Sequence, residues 1–527
     1  MLSAVAPGAR AQQGEPGTFP FFRSFMDKNT EYVAFPAGHP RESGTARPNA
    51  INESSLTTQG LVLTYSTNQV GAFYLPQHTF STDDGLLIEF EYIMHGADAT
   101  TDGMIMFLVD AQSQYIGNNL KFGAEGAGFG YTHRLAFMGT SRTSGILGAY
   151  LAVALDQGPF KTLRMVSLDD GDEMRNGIYY TNDNSYINPI PVARDTRSNV
   201  TIRGAAGRET ITIAHPGQAG YNNRPGGTWG YPVLITRHTN TAGRNEAGYK
   251  LNPTTGLFQQ HVSPVIPEAF NIARGAYFTH PGEPAYRKAI IALEPNPTAG
   301  EGGFKISVSI QHGETITPVI ENFTYPKTVT YVENGYPVRW DQFANTANNP
   351  ARITYTVDRP EKLVIGFAGA TGWSTPYTNI IRNLRITPLY AANTANDDIR
   401  DHRRGPVTVR PFDNDLGYKE EQPGSPGSVV GHKDFLDPAS FRFWTDENHT
   451  LLDANDKAIY EYEVADKGKW IYDPATKEVL FFPVRGFTGD VNIYYDIKGQ
   501  FAPFNQEKYR SSLAAISITI ADNQPVR

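Results

Sequence analysis

Apolar and polar residues alternate along much of the chain with a period of two, whereas an amphipathic helix needs a period of about 3.6. Between residues 87 and 93, three apolar side chains alternate with two glutamates, namely Ile88, Glu89, Phe90, Glu91 and Tyr92. The pattern recurs at 200–202, 211–213, 305–310, 363–367, 384–386 and 516–520, with Gly, Asn, Asp and Pro clusters between. Such segments are typical of half-buried strands, and no amphipathic helix exceeds two or three turns. The sequence therefore predicts an all-β fold.

Two stretches interrupt this alternation and suggest how the chain is divided. Residues 237–284 have few alternating runs and many Asn, Gly, Thr and Pro residues, as expected of an insertion in a β framework. Residues 390–405 are polar, with small side chains and no position that we expect in a core, which predicts a domain boundary. We therefore predict one domain at 15–390, with an insertion around 237–284, and a second at 391–527.

Composition and charge exclude several classes of protein. Of 527 residues, 40% are apolar and 12% aromatic, enough for a packed core. The net charge is −8 and Lys and Arg form no long run, so nucleic acid is not a predicted partner. The longest nearly apolar stretch, 145–155, is too short to span a bilayer. Cysteine is absent, which excludes disulfides, thiolate metal sites and cysteine nucleophiles.

The two ends of the chain suggest export and a longer protein. Residues 1–14, with small residues at Ala9 and Ala11, resemble the tail of a secretory signal, the alternative being an ordinary flexible N-terminus. An exported chain without cysteine fits a secreted protein of the bacterial cell surface. Residues 520–527 carry no anchor, so we expect the full-length protein to continue into further repeats.

Several segments of the first predicted domain resemble, in order, the strands of legume-type (L-type) lectins and of lectin-like modules in bacterial surface proteins. They are 88–94, 97–110 with its Asp102-Gly103 step, 126–131, 148–156, 200–204, 364–373 and 380–386. Each is weak alone, but their common order covers most of residues 15–390. The resemblance implies a concanavalin-like (jelly-roll) β-sandwich whose first and last strands pair, with a shallow sugar site in loops at one edge.

The resemblance also supplies candidate carbohydrate-binding residues. They are Asp102, Gly103, Gly128, Phe129, Gly130, Thr371, Gly372 and Trp373, with Phe160 as a further aromatic. A carboxylate accepts hydrogen bonds from vicinal hydroxyls, glycines allow backbone N–H groups close to a sugar ring, and an aromatic face stacks on a pyranose. Two alternatives stay open: Asp102 is a turn residue before Gly103, and Trp373 packs on the rim of the sandwich.

The family's calcium aspartate corresponds to Asp156, although other ligands are missing. Legume lectins have a Glu two residues earlier and an Asn four residues later, where this chain has Ala154 and Phe160. Calcium needs six to eight oxygens, which would require help from the acidic run 169–173, alternatively a solvated turn. A salt bridge from Asp156 to Lys161 or Arg164 would replace the ion. Calcium is therefore a candidate cofactor, and we expect any calcium-dependent stabilisation to be slight.

The second predicted domain resembles the tandem Ig-like repeat domains of bacterial fibrillar adhesins over nearly all of 396–523. The segments that carry the resemblance are Asn396–Asp398, Asn414-Asp415, 436–440, 468–474, 479–483, 486–489 and the final strand. The resemblance implies a smaller Ig-like β-sandwich that acts as a spacer. The two Asn/Asp motifs either hold calcium between repeats or cap strand ends.

An enzyme is the less favoured reading, although concanavalin-like folds also carry glycoside hydrolases and lyases. Glu89 and Glu91 have period-two spacing, but they lie on a framework strand, and no Glu-x-Asp-x-x-Glu run is present. The sequence therefore predicts a non-enzymatic adhesin fragment that binds a glycan or glycosylated surface through a lectin-like domain on a repeat stalk. The alternatives are a structural or protein-binding cap of a surface fibre and a carbohydrate-active enzyme.

Overall fold

The computed structural model describes seventeen segments of the chain. They are residues 19–38, 51–96, 103–117, 119–123, 128–132, 145–157, 198–205, 231–240, 248–256, 258–273, 279–296, 302–333, 351–371, 376–402, 405–421, 429–444 and 460–521. The predicted signal remnant at 1–14 lies outside these residues.

Regular structure in these segments consists of β-strands and short 3-10 helices, with no α-helix. The strands up to residue 387 are β1 Phe21–Arg23, β2 Ala37–Gly38, β3 Ser55–Thr57, β4 Gly60–Thr64, β5 Val70–Tyr74, β6 Phe80–Ser81, β7 Leu86–Gly96, β8 Gly103–Asp110, β9 Lys121–Phe122, β10 Ala149–Asp156, β11 Asn199–Arg203, β12 Val233–His238, β13 Gly248–Leu251, β14 Phe258–Gln260, β15 Arg287–Pro295, β16 Phe304–His312, β17 Thr315–Tyr325, β18 Thr328–Glu333, β19 Ala351–Thr356, β20 Lys362–Ala370 and β21 Tyr377–Thr387.

The remaining strands are β22 Asp397–His402, β23 Val407–Val409, β24 Gly417–Glu420, β25 Val429–His432, β26 Leu436–Trp444, β27 Glu461–Val464, β28 Gly468–Asp473, β29 Glu478–Pro483, β30 Gly489–Gly499 and β31 Ala514–Ile520. Three 3-10 helices, Pro411–Asp413, Lys433–Phe435 and Glu507–Tyr509, lie between them. The all-β prediction is confirmed.

Two large sheets contain most strands up to residue 387. One has eight strands in the order β17-β16-β15-β7-β21-β4-β3, with β1 on β21, and the other has nine in the order β14-β13-β12-β11-β10-β8-β20-β5, with β6 on β20. Phe21 pairs with Ile386, so the predicted pairing of the first and last strands of this region is confirmed. The segments found by alternation at 305–310, 363–367 and 384–386 all lie in these sheets, whereas 211–213 lies outside the described residues.

The two sheets pack face to face through aromatic side chains. The Phe90 ring of β7 lies edge-on to the Phe367 ring of β20, with centroids 4.9 Å apart. Further along, Tyr150 of β10 meets Phe304 of β16 at 6.0 Å. Burying such rings is a major favourable contribution to folding, and the two layers form the sandwich that the sequence predicts.

The nine-stranded sheet is also covered on its other face. Ile105, Phe107 and Ala368 point there and pack in one cluster with Phe129 and Tyr131 from outside the sheet. Strands buried on both faces are apolar throughout rather than alternating, which explains the uninterrupted run from Met104 to Val109. Because Phe129 and Tyr131 belong to this cluster, residues 128–132, here called the glycine loop, lie against the nine-stranded sheet.

The predicted insertion at 237–284 extends the nine-stranded sheet at its edge. Strands β13 and β14 pair in succession on β12, and the following chain folds back over the end of β11. There the backbone N–H of Ile272 donates to Ser198 Oγ at 2.9 Å, and the Thr239 hydroxyl donates to the Phe270 carbonyl at 2.8 Å. These residues share a compact unit with their flanking strands.

The described residues form two compact units. The large unit is Phe25–Gly85 with Phe90–Arg382, and the small unit contains the described residues of Met1–Ser24, Leu86–Glu89 and Asn383–Arg527. In the small unit, two four-stranded sheets, β22-β31-β30-β26 and β23-β29-β28-β27, enclose one core around Trp470 and Phe441. The smaller sandwich of the predicted fold class is therefore present, while the division at 390/391 stays a prediction.

One expectation about the segment 390–405 was wrong, because the segment does contain core positions. Ala391 and Ala392 are 1% and 4% exposed, and Thr394 is 2% exposed. Strand β22 within it pairs in parallel with β31. Small residues occur here because the backbone packs closely against its neighbours, and the same composition is also typical of linkers.

The Asn/Asp motifs of the small unit cap backbone groups. Asp415 Oδ1 accepts from the N–H of Ala395 at 2.9 Å, and Asn396 Oδ1 accepts from the N–H of Ala515 at 2.9 Å. This agrees with the capping interpretation of both motifs.

Candidate functional site

Strand register brings several predicted site residues to one end of the nine-stranded sheet. Gly103, the first residue of β8, pairs with Asp156 on one side and with Ala370 on the other. The complete cross-strand row runs Val70, Ala370, Gly103, Asp156, Asn199 and His238. Three segments adjoin the adjacent strands β5, β20 and β8 at this end: 65–69 before β5, 371–376 after Ala370, and 97–102 before Gly103.

Gly103 is required by packing within the sheet. A Cβ atom at this position would lie 2.2 Å from the carbonyl oxygen of Leu155 and 3.3 Å from Asp156 Cα. Any side chain would therefore force β8 away from β10. The glycine keeps the two strands close where the candidate site begins, which gives it a structural role whether or not it contacts a ligand.

Thr371 fastens the loop 65–69, which connects β4 of the eight-stranded sheet to β5 of the nine-stranded sheet, to the end of β20. Its hydroxyl donates to the Ser66 carbonyl at 2.7 Å and accepts from the Gln69 N–H at 2.9 Å, while its own N–H donates to the Gln69 carbonyl at 2.9 Å. The side chain is 3% exposed. Thr371 therefore holds two loops together, and its only hydroxyl proton is used within the chain.

The glycine loop lies against the nine-stranded sheet. The Gly128 carbonyl accepts from the N–H groups of Tyr131 and Thr132 at 2.8 and 3.1 Å. Gly130 has φ of 73°, and a Cβ there would lie 3.1 Å from that of Ala368. The Phe129 side chain is buried, at 2% exposed. Ligand contacts from this loop would therefore come from its backbone and not from the Phe129 ring.

Four predicted sugar-site residues, Asp102, Phe160, Gly372 and Trp373, lie outside the described residues. Two of them directly follow or precede described neighbours, because Asp102 is adjacent to Gly103 and Gly372 to Thr371. Since Gly103 pairs with Ala370, the loops that carry Asp102 and Trp373 begin on neighbouring strands.

Asp156 is buried at the end of β10, and its carboxylate interacts electrostatically with the buried Arg203 side chain. The residue is 1% exposed and Arg203 is 2% exposed. Burial lowers the pKa of Arg203, the Asp156 carboxylate partly opposes this by stabilising the cation, and the resulting pKa is about 10. Lys161 and Arg164, the partners predicted for Asp156, lie outside the described residues.

The described residues around Asp156 do not complete a calcium site. Its cross-strand neighbours are Asn199, which offers one amide oxygen, and Gly103, which offers no side chain. No group of three or more His, Cys, Asp or Glu side chains suitable for a metal occurs in the seventeen described segments. Calcium takes six to eight oxygens, so this donor set falls short. The acidic run 169–173 lies outside the described residues.

The two glutamates of β7 are engaged by arginines of β21. Glu91 Oε2 lies 2.8 Å from Arg382 Nε, and Glu91 Oε1 accepts from the Tyr286 hydroxyl at 3.1 Å. Glu89 Oε2 lies 3.8 Å from Arg385 Nη1. The arrangement is that of a framework ion-pair ladder.

Sequence reasoning did not identify the loop 65–69 as part of this end of the sheet. Tyr65 is 56% exposed, and Gln69 Oε1 accepts from the N–H groups of Tyr65 and Ser66 at 2.7 Å each. The only signal in the sequence is the turn-forming run Ser66-Thr67-Asn68, which does not reveal what the turn contacts.

Comparison with known proteins finds likeness to solved lectin structures. Lectin I-B4 from Griffonia simplicifolia, in its metal-free form, has 10% identity and a TM-score of 0.28, covering 70% of this chain and 99% of that chain. Lectin II from Ulex europaeus has 12% identity and a TM-score of 0.29 over 70% and 97%. The VIP36 exoplasmic/lumenal domain, in a form bound to Ca²⁺ and Man3GlcNAc, has 10% identity and a TM-score of 0.27 over 69% and 86%.

No protein-family model and no curated protein sequence matches the chain. The fold is therefore assigned from its own strand pairing. Within the described segments, no helix is long and apolar enough to cross a membrane.

Proposed function

We propose that the chain is a non-enzymatic, carbohydrate-binding fragment of a bacterial surface adhesin. The observation that carries the proposal is the pairing of Gly103 with Ala370, which starts the loops of Asp102 and of Thr371–Trp373 on neighbouring strands. Loops that converge on one end of a rigid sandwich are a common way to build a shallow recognition site.

The chemistry of the site suits a neutral sugar. Asp102 would accept hydrogen bonds from adjacent hydroxyls, the backbone of Gly128–Gly130 would approach the ring, and Trp373 or Phe160 would supply an aromatic face. The Glu89 and Glu91 ion pairs support binding without catalysis. Calcium bound through Asp156 belongs to the proposal only if donors beyond the described residues complete its coordination.

Residues 391–527 would act as an Ig-like stalk repeat that presents residues 15–390 at a secreted or cell-surface location. The two four-stranded sheets of the small unit, with Trp470 and Phe441 in one core, support a compact spacer. A spacer needs a stable fold rather than a pocket, which agrees with the tight packing of this core.

A glycan array, run with calcium and with chelator, tests the proposed function. Binding of a defined set of glycans is expected, and Asp102→Ala should weaken it at least about tenfold, because charge-assisted hydrogen bonds are each worth about 1.5–3 kcal/mol. Asp110→Ala is the matched control, since Asp110 ends the same strand at the opposite end. Absence of glycan binding by the intact chain would favour the structural or protein-binding cap, and turnover of a bound glycan would favour the enzyme.

A further inference from the structure

Tyr65 presents a large aromatic surface at the end of the sandwich where the candidate site lies. It directly follows β4 and is 56% exposed. Isolated exposed aromatics are common on protein surfaces, so exposure alone says little. What distinguishes Tyr65 is that its backbone N–H is bonded to the Gln69 side chain, and that Gln69 is in turn bonded through its backbone to Thr371.

Hydrogen bonds within the loop 65–69 and from this loop to Thr371 fix its backbone. Gln69 Oε1 accepts from the N–H groups of Tyr65 and Ser66, both at 2.7 Å. Thr371 then links Ser66 and Gln69 through its hydroxyl, and both Gln69 and Thr371 are at least nine-tenths buried. A side chain on such a support loses little conformational entropy when a ligand binds, so its contact area contributes efficiently to affinity.

A second exposed apolar side chain, Ile51, lies near the end of the loop 65–69. Ile51 is 66% exposed and precedes Asn52, which forms a β-bridge with Val70, the first residue after this loop. Asn52 is itself fixed, because its side chain bonds the N–H and the carbonyl of Ala72 at 3.1 and 2.7 Å. Val70 pairs with Ala370, which in turn pairs with Gly103.

We infer that Tyr65, with Ile51 near the end of the same loop, forms an apolar stacking subsite that binds a second sugar residue of an oligosaccharide. A pyranose presents C–H groups on one face and hydroxyls around its rim, so it can cover an aromatic face while its hydroxyls stay hydrated. The phenol hydroxyl adds a hydrogen-bonding group at the edge of that face. This inference rests on the proposed function and narrows the ligand class to oligosaccharides of at least two residues.

Calorimetry with an oligosaccharide identified on the array and with its terminal monosaccharide tests the inference in the full chain. Tyr65→Ala should weaken oligosaccharide binding about fivefold to tenfold and monosaccharide binding less than about twofold. Tyr65→Phe should keep oligosaccharide affinity within about twofold, because the ring remains. Phe482→Ala, which removes an exposed aromatic ring from the small unit, is the matched control and should change neither affinity.

The outcomes separate this inference from the proposed function. Equal losses for both ligands in Tyr65→Ala, or no loss for either, would overturn the stacking subsite while leaving sugar binding in place. If the intact chain binds no glycan, both proposals fail. An unchanged melting temperature of Tyr65→Ala shows that the loop 65–69 is intact. If that variant unfolds, Tyr65→Ser and Ile51→Ser, both at exposed positions, provide the same comparison of the two ligands.

Discussion

The Tyr495 hydroxyl lies 2.9 Å from Oδ2 of Asp415, inside the small unit. The same hydroxyl is 3.4 Å from Oδ2 of Asp397, whose Oδ1 accepts from Asn414 Nδ2 at 3.1 Å. A phenol has one proton, so it cannot donate fully to two carboxylates. The arrangement is best satisfied when one of the two carboxyl groups is itself protonated.

We expect the small unit to lose stability as the pH rises from about 5 to 7. Burial raises the pKa of Asp397 to about 6 and that of Asp415 well above its usual value. An Asp in the unfolded chain has a pKa of about 3.9. Between that pH and the higher pKa of the folded unit, the folded unit binds more protons than the unfolded chain, so protonation stabilises the fold. The contribution of Asp397 is complete below about pH 4 and is lost as the pH rises through about 6, which costs about 1 kcal/mol between pH 5 and 7. Asp415 contributes in the same direction.

Hydrogen exchange of β22, β30 and β31 in the full chain measures this pH dependence. Exchange corrected for its intrinsic pH dependence should show less protection at pH 7 than at pH 5. The double variant Asp397→Asn with Asp415→Asn should flatten the difference, because neutral amides do not titrate. An unchanged pH dependence in the double variant would place its origin in other groups.

Replacing Thr371 by Val should release the loop 65–69 between β4 and β5. Val has a similar shape but lacks the hydroxyl, which leaves the Ser66 carbonyl and Gln69 N–H without their partner. We expect a loss of about 2–3 kcal/mol in unfolding free energy, measured by denaturant titration. Thr57→Val, which removes a hydroxyl from the more exposed β3–β4 turn, should cost less than about 1 kcal/mol. Similar losses in both variants would contradict the clamp.

Gly103→Ala should destabilise the large unit because its methyl group has no room. The nearest atom, the carbonyl oxygen of Leu155, belongs to the backbone of a paired strand and cannot rotate away. We expect a loss of about 1–3 kcal/mol, seen as a lower melting temperature. Gly369→Ala provides a graded control, since its Cβ would find its nearest neighbour at 3.2 Å. An equal or larger effect at Gly369 would contradict this account.

Asp156→Asn should lower the unfolding free energy of the large unit, because the Asp156 carboxylate stabilises the buried Arg203 cation electrostatically. We expect at most a slight rise of the wild-type melting temperature in calcium relative to chelator, because the described cross-strand neighbours of Asp156 supply few oxygens. Thermal unfolding of both proteins in each buffer measures the two effects. A calcium-dependent rise in the wild type that is lost in Asp156→Asn would show that donors outside the described residues complete a site.

Alternation in the sequence located six of the described strands, namely β7, β11, β16, β20, β21 and β31. In β16, Ile306 and Val308 lie in the core while Lys305 and Ser307 are more exposed, so pattern and burial agree. Alternation did not predict that Glu89 would be buried, at 5% exposed. Its burial depends on Arg385, which is nearly three hundred residues away along the chain.

The sequence by itself determined the all-β class, the turns and where along the chain the alternating strands occur. These features depend on periodicity and on residues close to one another along the chain. Tertiary structure decided which loops meet, since Gly103, Asp156 and Ala370 become neighbours only through strand register. It likewise decided that Ala391 and Ala392 are core residues and that Thr371 is a clamp, because small and polar side chains take their roles from whatever packs against them. Burial and hydrogen-bond partners belong to the folded chain, and no local pattern specifies them.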